Sequence, residues 1–127
     1  MNMATKYFTV AEVNALLPQL EPMLGQLLER RARVVRQGQQ MSHVLGDMRS
    51  NVGGADASAM VQDFMVIESL LDQIKAYGCE VKDLNAGLLD FLAEIDGREV
   101  YLCWKYGESE VLFYHDLQTG FNGRIPL

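Results

Sequence analysis

At 127 residues with 49% hydrophobic content, the chain is the size of one domain and has enough apolar material for a core. Its net charge of −6 is uneven: residues 1–50 carry six basic and four acidic side chains, residues 51–127 five and thirteen, so the second half repels nucleic-acid phosphates and anionic membranes alike. Two cysteines are too few for a disulfide framework, and no run approaches the roughly 18 apolar residues of a membrane helix.

The opening MNMATKYFTV lacks the basic region and apolar run of a signal peptide, so a cytoplasmic protein with Cys79 and Cys103 reduced is expected. A first helix is expected over 9–49. Thr9 and Glu12 form a capping box, and Phe8 and Val13 flank it as a hydrophobic staple. Pro18 and Pro22 each remove a backbone donor and predict a kink. Val13, Leu17, Leu20, Leu24, Leu27, Arg31, Val34, Gly38, Met41, Leu45 and Met48 alternate in steps of four and three, the coiled-coil period. The turn segment SNVGGAD ends the helix.

A second helix is expected over 56–77, capped by Asp56 or Ser58, with Met60, Phe64, Ile67, Leu71 and Ile74 facing its partner and Gly78 at its C-terminus. Folding it straight back sets Arg31 beside Ile74. The first helix then overhangs from Val10 to Leu27, roughly 25 Å at about 1.5 Å per residue. The run Arg30, Arg31, Arg33 and Arg36 reads as charge pairing across the hairpin with Asp72 or Glu68.

The remainder reads as an antiparallel sheet over 79–116. Asp96-Gly97 is a two-residue hairpin turn joining Leu89–Ile95 to Arg98–Lys105. A third long strand is expected over Glu110–Asp116 and a short one over Cys79–Asp83, with Val81 opposite Phe91 and Lys82 opposite Asp90. Parity puts Leu89, Phe91, Ala93, Ile95, Val100, Leu102, Trp104, Val111, Phe113 and His115 on the face toward the first helix. Asp90, Tyr101, Cys103 and Tyr114 fall on the other. Residues 117–127 are a tail, either closing the core with Phe121 as plug or lying as a lid over His115. The fold class is therefore α+β: a long antiparallel helical hairpin followed by a small antiparallel β-meander packed on the first helix, one domain over 1–127.

The segments KYFTVAEVNALLPQL, GCEVKDLNAGLLDF, DGREVYLCW and YHDLQTGFNGRIPL resemble the bacterial domain-of-unknown-function family 2203 across nearly the whole chain. The pattern falls on Lys82, Asp83, Gly87, Asp90, Gly97, Trp104, Gly107, Glu108, His115, Gly120, Phe121, Gly123, Arg124 and Pro126. The chain departs from it at Tyr114, where the family has Trp, and at Leu92, where it has Pro. The resemblance implies no activity.

No Walker loop, HExxH or GxSxG motif is present in the sequence. His115 is the residue most open to acid–base or ligand chemistry, against the ordinary alternative of a histidine hydrogen-bonded at the core edge. Its sequence neighbours are carboxylates with no second histidine, so no metal or cofactor is expected. Cys103, opposite Asp90, is a poor nucleophile because a carboxylate raises a thiol's pKa. The sequence reads as a non-catalytic oligomeric interaction or scaffold domain, homodimeric through its helices with Val61, Met65, Leu70, Val35 and Val44 on the flanks, and open to a protein partner. The alternative is a small-molecule- or metal-binding protein or enzyme with a C-terminal pocket around Asp83, Asp90, Glu108, His115 and Arg124, joined by Lys82 and Trp104 as ligand-binding candidates.

Overall fold

The computed structural model describes residues 5–45 and 55–127, with side chains outside 41–56. Two helices, α1 (Val10–Leu45) and α2 (Ala55–Lys75), are followed by strands β1 (Glu80–Asp83), β2 (Leu88–Ile95), β3 (Arg98–Lys105), β4 (Phe113–Asp116) and β5 (Ile125–Pro126). The five strands form one antiparallel sheet in sequential order. No described helix is long and apolar enough to cross a membrane.

The helix start expected from sequence is present. The Thr9 N–H donates to Glu12 Oε1 at 2.9 Å, and the Glu12 N–H donates to Thr9 Oγ1 at 3.1 Å. Phe8 and Val13 are both buried. Pro18 and Pro22 lie inside α1 on its exposed side, and the helix runs on through both. Val13, Leu17, Leu20, Leu24 and Leu27 are all buried against Leu89, Phe91, Ala93, Val100, Leu102 and Trp104, so the sheet covers the start of α1 as the apolar pattern required. Each such side chain contributes about 1.5–3 kcal/mol. The side chains of Met41, Val44, Leu45 and Met48, and residues 50–54 of the turn segment, lie outside what is described.

The hairpin register differs from the sequence expectation. Arg30 and Arg33 both bond Asp63, and the Tyr77 hydroxyl donates to Gln19 Oε1, so Arg31 lies near the level of Phe64 and not of Ile74. The helices are displaced by about two and a half turns, and the overhang is roughly halved. That shift is not a whole number of heptads, so the seam read from the sequence is not the one used, and the pairing of half-exposed Arg30 and Arg33 with buried Asp63 marks the register taken. α2 is turned accordingly: Asp63, Leu70 and Ile74 face inward while Phe64 is exposed. Asp63, and not Asp72 or Glu68, is the partner of the arginines. Because α2 begins at Ala55, Asp56 and Ser58 both fall within it and neither is its cap.

In the sheet, Asp96 and Gly97 both have positive φ, as the tight turn demands, and β2 pairs with β3 from Leu88↔Lys105 to Ile95↔Arg98. Three expectations are corrected. β1 bulges between Val81 and Asp83, so Glu80 and not Lys82 stands opposite Asp90, and Val81 opposite Leu89. The chain from Glu110 to Leu112 does not join the ladder, because the Val111 N–H donates to Asn14 Oδ1 on α1 at 2.8 Å. Val111 is thereby held in the core, and the parity resets before Phe113. The tail supplies β5, pairing Tyr114 with Ile125, and Phe121 is exposed and is not a core plug.

Two glycines make close packing possible. A Cβ on Gly25 would meet the Tyr106 hydroxyl at 2.7 Å, and one on Gly87, at φ +71°, would meet Tyr106 Cβ at 2.8 Å.

Candidate functional site

The parity reset on β4 creates the site. Tyr101 pairs with His115 and Cys103 with Phe113, so His115 shares a face with Cys103 and, across β3, with Asp90. Sequence parity placed His115 on the opposite, helix-covered face and put Tyr114 in its position. The three side chains come from the middle of β2, β3 and β4. All three are buried although they point away from the helices.

His115 Nε2 lies 2.9 Å from Asp90 Oδ2, and Nδ1 lies 2.7 Å from the Asp116 carbonyl. A carbonyl only accepts, so Nδ1 carries a hydrogen. Nε2 and Asp90 therefore share a single proton: either an imidazolium faces a carboxylate, or a neutral imidazole accepts from a carboxylic acid. Burial pushes Asp90 above the usual carboxylate range, with the nearby imidazole and then a hydrogen bond from the Cys103 thiol pulling the other way. Asp90 Oδ1, buried as deeply, has no hydrogen-bond partner among the described residues. Burial, followed by the Asp90 charge, pushes the Cys103 thiol up to about 12. One donor atom from each of Asp90, Cys103 and His115 lies within 4.8 Å of the others.

The cluster floors a cavity of about 340 Å³. Leu88 closes one side. The segment after β4, with Leu117, Gln118, Gly120 and Phe121, forms the opposite wall, and Lys82 and Asp83 stand at the β1 edge. Of the residues singled out from sequence, Lys82, Asp83, Asp90 and His115 meet here. Lys82 lies 3.5 Å from Glu80 and over the Tyr101 ring. Asp83 Oδ1 accepts from the Asn85 and Ala86 N–H groups and holds the β1–β2 turn.

The other candidates have structural work. Trp104 is on the core face, its Nε1–H donating to the Glu108 carbonyl. Glu108 accepts from the Lys105 N–H and pairs with Arg124 at 2.7 and 2.8 Å. Arg124 stacks on Phe113 and Phe121 and donates to the Cys103 carbonyl, so it touches two of the residues that line the cavity. Among residues missed as site members, Cys103 was legible through its pairing with Asp90. Leu88 and the wall at 117–121 carry no local signal of their role.

A family model described as "Uncharacterized conserved protein (DUF2203)" matches residues 6–127. No curated protein and no solved structure matches the chain.

Proposed function

The chain belongs to the uncharacterized conserved family DUF2203, and since that description carries no reaction, we propose a function from the site itself: binding of a small ligand that presents an electropositive head to Asp90. The supporting observation is Asp90, which lines the cavity and whose deeply buried Oδ1 has no partner among the described residues. Leaving such an atom unsatisfied costs about 1–3 kcal/mol, so a hydrogen-bond donor or a cation is the group that belongs there. A cavity of about 340 Å³ suits a small molecule, and Leu88, Leu117 and Phe121 suit an apolar body behind its head.

Binding fits these groups better than catalysis. Both ring nitrogens of His115 are engaged, leaving no free position for proton transfer to a ligand. A thiol pushed up to about 12 is not a nucleophile near neutral pH. The test is an amide chemical-shift survey of the chelator-treated protein against a library of small polar fragments. Shifts should cluster at residues 82–90, 103 and 115–121. Hits that scatter, or that persist equally in Asp90→Asn, would refute the reading.

A second reading, a homodimeric scaffold, is supported by α2. Val61, Phe64 and Met65 lie on one helical stripe and are each more than half exposed (57%, 53% and 66%). Leu70, expected on this flank, is buried instead. A second copy of the hairpin is the proposed cover, and the two functions are compatible because the stripe is on α2 and the cavity on the far face of the sheet.

A further inference from the structure

Asp90, Cys103 and His115 form a donor set of one oxygen, one sulfur and one nitrogen. Mg²⁺ and Ca²⁺ take oxygen ligands, whereas sulfur and imidazole together select zinc and its neighbours. Resting on the pocket reading above, we propose that the electropositive occupant of the cavity floor is a divalent transition-metal ion of the zinc class, held by Asp90, Cys103 and His115 with its fourth position open to the cavity.

Four features of the geometry support this. First, His115 is already oriented as a ligand: its Nδ1–H is fixed on the Asp116 carbonyl, which aims Nε2 at the cluster. Second, the spacing is close to what an ion needs. Two ligands at about 2.0–2.1 Å on a tetrahedral ion stand roughly 3.3 Å apart. Nε2 and Asp90 Oδ2 are 2.9 Å apart and all three donor atoms lie within 4.8 Å of one another, so opening the pair by a few tenths of an ångström and turning the imidazole from Oδ2 toward the centre of the cluster admits the ion. Third, the unpartnered Asp90 Oδ1 gives the carboxylate a second oxygen with which to adjust. Fourth, three protein ligands beside a cavity match the open type of zinc site, in which the fourth position takes water or a small molecule.

The charge balance closes. Without the ion, the Asp90–His115 pair holds one shared proton and Cys103 holds its own, so the cluster is neutral. The ion displaces both protons and meets a carboxylate, a thiolate and a neutral imidazole, again a net charge of zero. Two protons are released to solvent for each ion bound. A small molecule with a lone pair then completes the coordination from the cavity side.

The experiment uses the full chain, treated with chelator, desalted and titrated with cobalt(II) and, separately, zinc(II). One equivalent of cobalt should bind with a sulfur-to-cobalt charge-transfer band and tetrahedral visible bands. Cys103→Ser should abolish the sulfur band, and His115→Gln should weaken binding by more than about 100-fold, beyond the loss seen when an outer partner is removed. Zinc should raise the unfolding midpoint of the wild type and leave that of Cys103→Ser unchanged, a readout that holds even where His115→Gln folds poorly. A wild type with no sulfur band and no saturable zinc binding overturns the proposal, as does a band that survives Cys103→Ser. Fragment shifts clustered at the cavity without any metal binding would sink the ion and leave the pocket reading standing.

Discussion

The Asp90–His115 pair makes a prediction about what the fold keeps it for. Its side chains are 2% and 3% exposed, so replacing His115 with Leu fills most of the space but leaves Asp90 with only the weak Cys103 thiol to bond it. Breaking a buried ion pair on one side costs about 3–5 kcal/mol. The lost hydrogen bond to the Asp116 carbonyl adds about 1 kcal/mol. For a domain of this length the unfolding midpoint should fall by roughly 15–22 °C. The double variant Asp90→Leu/His115→Leu removes both groups, and such replacements are neutral or stabilising by about 1–4 kcal/mol. The double should therefore be more stable than the single and close to wild type. Thermal and urea unfolding followed through Trp104, the one tryptophan and fully buried, measure the midpoint and the free energy of both variants. If the double variant is as unstable as His115→Leu, the pair is a structural prop, and its retention is no sign of a ligand.

Four further outcomes follow from the geometry. Asp63 is held at about 2, below its ordinary 3.8, chiefly by the hydrogen bond from Arg33 and then by that from Arg30. A depressed carboxylate stabilises the fold above its unfolded pKa, so this contribution should disappear as pH falls from about 4 through about 2, and Asp63→Asn should flatten that limb of a stability–pH profile. Both cysteines are free and buried, with Cys79 pushed up to about 11 and Cys103 to about 12 by burial, so thiol titration should find two thiols after unfolding and little reaction before it. Gly87→Ala should destabilise by more than about 1 kcal/mol in chemical denaturation, because a Cβ there meets Tyr106 and Leu28 at positive φ. Sedimentation equilibrium at micromolar concentration should return twice the 14.3 kDa chain mass, and Phe64→Glu with Met65→Glu should shift it toward the monomer; a monomeric wild type would remove the scaffold reading.

The sequence by itself determined what is settled within a few residues. The Thr9–Glu12 box starts α1, Asp96-Gly97 turns the chain, and with the turn in place the β2–β3 register follows, including Asp90 opposite Cys103. Those signals are legible because backbone geometry and hydrogen bonding between near neighbours decide them. Helices first and sheet after them, with Val13 to Leu27 under the sheet, follow from apolar periodicity in the same way. Tertiary structure decided what depends on partners far along the chain. Asp63, bonded by Arg30 and Arg33, faces inward where the heptad pattern puts Phe64, so both the register and the facing stripe of α2 depart from that pattern. Asn14 took the Val111 N–H, which broke the alternation of the third long strand and carried His115 to the other face. No local pattern encodes that bond, because its two groups lie on different elements and meet only when the sheet docks on α1. The site exists because of it: three buried ligand-type side chains that looked unrelated in sequence become neighbours once the parity changes.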